Sequence, residues 1–166
     1  MNITVMAGVS GCGKSTYVNK MNEPVCSTDK FIDYHAKEHG VNYSDSFTMI
    51  QNQQLFSTIT EMFYSEMIEH IKNGIDFVVD RTNLTKSSRK SLTDFIRSTA
   101  ARFNRVVVIK CAYISIDEKQ LFERLEKRNL ETGKKIPLNV IYNQIHAWEI
   151  PSTTNDGFDM VERKEA

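Results

Sequence analysis

The run Gly8-Val9-Ser10-Gly11-Cys12-Gly13-Lys14-Ser15-Thr16 satisfies G-x-x-x-x-G-K-[ST] and stands between an apolar stretch, Ile3 to Ala7, and a helical one, Lys14 to Met21. A strand, a glycine-rich turn and a helix in that order commit a chain to a parallel α/β architecture, because the turn must leave a strand end and open a helix. The residue types carry the chemistry. Glycines let successive backbone N–H groups curl around an anion, and the helix start adds its positive dipole end. Gly8, Ser10, Gly11, Cys12, Gly13, Lys14, Ser15 and Thr16 are therefore the expected nucleotide-binding residues. Lys14 would reach the β/γ oxygens of a nucleoside triphosphate, Ser15 would offer its hydroxyl to magnesium, and Thr16 would lie near the α-phosphate. Cys12 needs only to be small, and packing outweighs a redox role for it.

The rest of the chain fits that frame. Strands are expected at Pro24–Ser27, Asp76–Val79 and Val106–Ala112, and a helix from Thr28 to Gly40. The apolar residues Leu55, Ile59, Met62, Phe63, Met67 and Ile71 recur at steps of three and four, which predicts one long amphipathic helix over Thr48–Lys72. Further helices are expected over Ser87–Ala101 and Asp117–Arg128, and a stripe of Leu138, Ile141, Ile145 and Trp148 follows Pro137. Strands alternating with helices imply a parallel sheet covered on both faces, and no linker or repeat divides residues 1–166, so one α/β domain is expected.

Composition sets limits on partners and place. The chain has 166 residues, enough for a core without disulfide or metal staples, and its three cysteines have no paired spacing. Free thiols in the cytoplasm are expected, since no apolar run is long enough for a membrane span and the N-terminus lacks a signal-peptide pattern. With 21 basic against 21 acidic residues the chain is not a general coat for DNA. Charge is uneven, however. Lys86, Arg89, Lys90, Arg97, Arg102 and Arg105 face only Asp94 in their stretch. That run is read as a solvated helix face rather than an acceptor-binding patch.

Two acids stand where strands end. In a parallel sheet the strands' C-terminal ends point toward the glycine-rich loop, so Asp29 and Asp80 should reach one crevice. Asp80 closes the buried run Phe77-Val78-Val79 and is a candidate for the magnesium shell or the acceptor side. Asp29 would then be free to take a proton from an attacking hydroxyl, with a helix N-cap as its structural alternative.

These segments, with Ser27-Thr28-Asp29, Asp80-Arg81-Thr82-Asn83, Arg128-Asn129, Ile136-Pro137, Trp148-Glu149-Ile150-Pro151 and Gly157-Phe158-Asp159, resemble the P-loop kinase domain of phage and eukaryotic polynucleotide kinases over nearly the whole chain. The resemblance implies a three-layer P-loop NTPase fold with a helical lid at about residues 128–137. It also implies transfer of the ATP γ-phosphate to a hydroxyl, foremost the 5'-hydroxyl of DNA or RNA. By position it makes Asp29 the base, Lys14 and Arg128 the groups on the donor phosphates, and Asp80, Arg81, Thr82 and Asn83 the acceptor side. Three positions depart from the family pattern. Ile32 stands where the phage enzyme has an acceptor-gripping arginine, Leu130-Glu131-Thr132-Gly133 replaces a second lid arginine, and the D-x-T-N segment is shifted, with Arg81 near the phage acid. Lys134 and Lys135 join Arg128 as candidate lid cations, and Arg81 could replace the missing acceptor contact. Relatives also phosphorylate hydroxymethylated bases, nucleotides and small metabolites, and a nucleotide-binding switch without transfer is the reading from another class.

His35-Ala36-Lys37-Glu38-His39 fits H-x-x-E-H, a zinc-peptidase pattern. A surface helix carrying polar histidines accounts for it. Phe31 and Tyr34, near Asp29, are minor candidates for stacking on an acceptor base.

Overall fold

The computed structural model describes residues 1–165. Five parallel strands, β1 (Asn2–Ala7), β2 (Val25–Cys26), β3 (Phe77–Val79), β4 (Val108–Ile114) and β5 (Met160–Lys164), form one sheet in the order β2-β3-β1-β4-β5. The helices are α1 (Lys14–Val18), α2 (Thr28–His39), α3 (Tyr43–Asn52), α4 (Phe56–Asn73), α5 (Lys86–Arg102), α6 (Glu118–Thr132), α7 (Leu138–Ala147) and α8 (Thr153–Asp156).

Alternation along the strands divides the core in two, because successive side chains leave a strand on opposite faces. Ile3, Val5, Phe77, Val79, Ile109 and Cys111 pack with Phe63, Met67 and Ile71 of α4 and Leu92, Ile96 and Ala100 of α5. Met6, Val78, Ala112 and Ile114 pack on the other face with Val18 of α1, Leu121 of α6 and Ile141 of α7. This is the expected three-layer P-loop fold. The sheet changes direction of winding around β1, so the crevice at the strands' C-terminal ends opens there.

The structure corrects several expectations. The helix read over Thr48–Lys72 is two helices, α3 and α4, with a break at Gln53–Leu55 where Gln54 adopts φ 58°. Ile50 and Ile59 are the reason. Nine residues apart, they would face about half a turn away from each other on one straight helix. The break lets both pack on Ile32 in a small cluster of their own. Met62 and Leu138, placed on apolar stripes by spacing, are exposed. Strand β4 begins at Val108 rather than Val106, because its register starts opposite Asn2 and leaves Val106 in solvent. Strand β5 and helix α8 were not expected at all. Met-Val-Glu-Arg-Lys is a polar edge strand, and its pairing partner β4 makes it a strand where its own residues do not.

The basic stretch of α5 is also revised. Arg89 is fully buried, its Nε donating to Asp156 Oδ2 at 2.8 Å and its Nη1 to the carbonyl oxygens of Asn83 and Leu84. Asp156 in turn accepts from the Ser152 N–H. Arg97 pairs with Asp159, Lys90 with Asp94, and Arg105 donates to the Lys72 carbonyl. A buried charge stripped of its partner costs far more than the intact pair contributes. Arg89→Met or Asp156→Leu alone should therefore lower the unfolding free energy by about 3–5 kcal/mol, while the double variant recovers most of that loss. Denaturant titration of the three variants decides it, and strictly additive losses would show the pair to be uncoupled.

Candidate functional site

The loop between β1 and α1 is shaped by close approach. Gly8 has φ 144°, and a Cβ there would stand 2.7 Å from both Cys12 Sγ and the Ile114 carbonyl oxygen. Gly11, at φ 87°, would meet Leu125 of α6 at 2.7 Å. Only glycine admits these approaches. The loop is further held by the Gly8 N–H donating to the Thr82 carbonyl and by the Ser10 N–H donating to Gln144 Oε1 at 2.7 Å. Lys14 is buried and curls back onto its own loop, its Nζ donating to the carbonyls of Gly8 and Val9 at 2.8 and 2.9 Å. These two bonds are the ones that phosphate oxygens would replace.

Helix α6 roofs the loop. A cavity of about 440 Å³ lies between them, lined by Gly11, Gly13, Lys14, Ser15 and Thr16 below and by Arg124, Lys127, Arg128 and Glu131 above. Arg124 Nη1 donates to the Cys12 carbonyl at 3.2 Å. Nε and Nη2 of Arg128 are buried without a hydrogen-bond partner. Buried guanidinium nitrogens of that kind call for an anion. Arg128 thus lies on the last turns of α6, and the expected lid at 128–137 is the end of that helix, its Gly133 cap and the short loop to Pro137. Arg124 and Lys127 were not read from the sequence. Their signal was present, since Arg124 and Arg128 stand one turn apart on a helix that must face the loop.

Asp29 and Asp80 reach one crevice. Burial raises the Asp80 carboxyl above its ordinary range, Lys14 lowers it, the Asp29 charge raises it again, and the nearby Ser15 hydroxyl lowers it. Ser15 and Asp80 are hard oxygen donors beside the loop lysine, and that donor set fits magnesium. Asp29 is not the N-cap of α2. Ser27 is, accepting from the Asp29 N–H at 3.2 Å, and the Asp29 carboxylate is left for other partners. Its Oδ1 accepts from the Tyr43 hydroxyl at 2.9 Å and its Oδ2 pairs with Lys134 Nζ at 3.3 Å. That ammonium also sits 3.5 Å from the Tyr43 ring centroid, so the loop after α6 reaches across to the base of α3. Burial and the Asp29 carboxylate push the Tyr43 hydroxyl far up, which keeps it a donor. Tyr43 carries no motif, and nothing in the sequence singled it out.

The D-x-T-N segment divides its residues between two tasks. Thr82 holds Gly8 through its backbone, and Asn83, at φ 44°, is buried with its amide donating to the Met6 carbonyl at 2.7 Å. Arg81 lies over the Phe63 ring, 5.1 Å to the centroid, at a second cavity of about 380 Å³ bordered by Tyr64, Thr82, Thr85, Ser88 and Ser91. Ile32 is buried in the small cluster with Ile50 and Ile59. The H-x-x-E-H residues are engaged locally: His35 Nδ1 meets Ser46 Oγ, Glu38 accepts from Tyr34, and the two imidazoles stack at 4.1 Å. All three cysteines are free, and burial pushes the thiols of Cys26 and Cys111 up to about 12 and raises that of Cys12.

A glycine-lined loop opening a helix at the central strand of a parallel sheet, roofed by a helix that turns Arg124, Lys127 and Arg128 toward it, defines a P-loop kinase fold. The chain belongs to the AAA domain family, whose sequence profile matches residues 3–151. It is similar to the L-seryl-tRNA(Sec) kinase of Methanococcus maripaludis, 28% identical over 106 residues, which cover 58% of this chain and 38% of that one. The match thus spans little more than a third of that relative's length. Among solved structures, a fungal RNA kinase superposes with a TM-score of 0.65 at 14% identity over 98% of this chain and 37% of its own. A gluconokinase from Sinorhizobium meliloti 1021 superposes with a TM-score of 0.53 at 18% identity over 99% and 82%. No helix among the described residues is long and apolar enough to cross a membrane.

The raised Asp80 carboxyl has a stability consequence with a definite sign. A folded-state value above the unfolded one favours the protonated form, so the stabilising contribution is complete below pH 3.8 and is lost as pH rises through the folded value. Without ligands, Asp80→Asn should melt at a higher temperature than the wild type at pH 7, the gap closing as pH falls toward 3.8. Thermal melts across that range check it, and a gap that widens at low pH would reverse the assignment.

Proposed function

We propose that this protein is an ATP-dependent phosphotransferase whose acceptor is a hydroxyl of a nucleic acid, foremost the 5'-hydroxyl of a DNA or RNA end. The observation that carries this reading is the pairing of Arg128's two unpartnered buried nitrogens over the phosphate loop with a half-exposed carboxylate, Asp29, at the same crevice. A nucleotide-binding switch needs neither an acceptor base nor a cationic roof. The likeness to an RNA kinase and a seryl-tRNA kinase supports an acceptor hydroxyl on RNA, and the likeness to a gluconokinase supports the small-metabolite alternative.

In this reading Asp29 accepts the proton of the attacking hydroxyl, whose oxygen forms the new P–O bond as the bond to ADP breaks in line. Lys14 leaves the Gly8 and Val9 carbonyls for the β/γ oxygens, and Arg128 meets the charge that spreads over the transferring group. Ser15 and Asp80 would hold magnesium, which neutralises charge on the phosphates. Tyr43 orients the base, and Lys134 must give up Asp29 before a hydroxyl can approach it. The cavity at Arg81 has the volume for a single nucleoside unit, which supports recognition of a chain end or of a nucleotide or hydroxymethylated base.

Labelled-ATP transfer to a panel of 5'-hydroxyl DNA and RNA oligonucleotides, tRNA, hydroxymethylated-base DNA, nucleosides, nucleotides and gluconate tests this directly. Label should appear on polynucleotide 5'-ends. Label on gluconate alone would move the substrate class, and none on any acceptor while ATP binds would leave the switch. Asp29→Asn should lower transfer by about 10²–10⁴-fold with ATP affinity near wild type, whereas Lys14→Ala should impair both. Undiminished transfer by Asp29→Asn would remove it as the base.

A further inference from the structure

Behind Asp29, where β2 packs against α4, three side chains of metal-ligating type converge. Glu66 and His70 stand one turn apart on α4 and so share a face, and Cys26 meets them as the last residue of β2. Cys26 Sγ, a Glu66 carboxylate oxygen and a His70 ring nitrogen all lie within 4.8 Å of one another, with His70 Nε2 3.8 Å from Glu66 Oε1. Bonds of zinc to S, N and O set neighbouring ligand atoms of a tetrahedron about 3.3–3.7 Å apart. The cluster therefore needs to contract by roughly an ångström at its widest edge, within the reach of side-chain rotation.

Two further observations point to an occupant. Glu66 Oε2 and His70 Nε2 are buried without a hydrogen-bond partner, a condition that buried polar atoms rarely tolerate. The place also already attracts a cation. Lys30 Nζ pairs with Glu66 Oε1 and donates to the Val25 carbonyl at 3.3 Å, while its side chain remains 40% exposed and free to turn to water.

We propose that Cys26, Glu66 and His70 form a binding site for a zinc-class divalent metal ion, with Lys30 as the tethered ammonium that neutralises the site when the metal is absent. The mixed sulfur, nitrogen and oxygen set suits zinc and not magnesium, so the site is chemically distinct from Ser15 and Asp80. Binding forms three metal–ligand bonds. The Cys26 thiol proton goes to solvent, and Lys30 moves outward still protonated. The two charges of the metal are then matched by one thiolate and one carboxylate, and a fourth position remains for water. Because Cys26 and Lys30 flank Ser27 to Asp29, occupancy would also pin the start of α2 to α4.

The test uses zinc and cobalt(II) on the full chain. Competition with a chromophoric chelator should give one zinc per chain, and cobalt(II) should produce a thiolate-to-metal charge-transfer band. Cys26→Ser and His70→Gln should each weaken zinc binding by about 10–100-fold or more. Lys30→Met should tighten it by about two- to fivefold, the worth of a part-exposed ion pair. Should Cys26→Ser fail to fold, Cys12→Ser and Cys111→Ser must keep the band. No band in either wild type or Lys30→Met, or zinc affinity unchanged in His70→Gln, would overturn the site and leave a plain Lys30–Glu66 ion pair.

Discussion

The structure turns on the crowding at Gly8. Its N–H is bonded to the Thr82 carbonyl, and the space a side chain would fill is taken by Cys12 Sγ and the Ile114 carbonyl. One residue thus ties the ends of β1 and β4 and the segment leaving β3 into a single rigid rim. Everything chemical hangs on that rim. The loop's N–H groups can face an anion only because the backbone is this close, and Asp80 comes near Ser15 and Lys14 because β3 ends beside Val5, just short of the end of β1. Asn83 and Arg89 extend the same construction outward: Asn83 bonds Met6 of β1, Arg89 bonds the carbonyls of Asn83 and Leu84, and Asp156 neutralises Arg89. A buried ion pair in the second layer therefore fixes the backbone that borders the Arg81 cavity.

How much of this was legible from sequence depends on whether the signal was local. The loop, strands β1 to β4 and helices α2, α5 and α6 follow from short apolar runs, caps and glycines, all of which act within a few residues. The break between α3 and α4 does not, because it answers to Ile32 from another element. Strand β5 exists through pairing with β4, and its own residues are polar. Arg89 looked like a surface charge because it falls in a run of basic residues with Lys86 and Lys90, and only the late arrival of Asp156 buries it.

The site divides along the same line. Lys14, Ser15, Asp29, Asp80 and Arg128 sit in motifs whose spacing is dictated by where strands and helices end. Tyr43 and Gln144 reach the crevice from helices that carry no motif, across 14 residues of sequence in the case of Tyr43 and Asp29 and 134 in that of Ser10 and Gln144, and Arg124 lies outside the Arg128-Asn129 segment of its own helix. Arg124 could have been found by asking which face of α6 must look at the loop. Tyr43 and Gln144 could not, since their roles are defined by a partner's position.

The neutral balance of the chain then acquires a sharper meaning. Of the basic residues between Lys86 and Arg105, Arg89, Lys90, Arg97 and Arg105 are each engaged by an acid or a carbonyl of the fold. They offer no continuous track for a polyanion. Among the described residues, the cations lining the two cavities stand at two points: Lys14, Arg124, Lys127 and Arg128 around the glycine-rich loop, and Arg81 at the other. Under the proposed function, such a distribution would grip phosphates one nucleotide at a time. Affinity built this way would come from a chain end or a single nucleotide fitted into a cavity, and would not grow with the length of polymer beyond it.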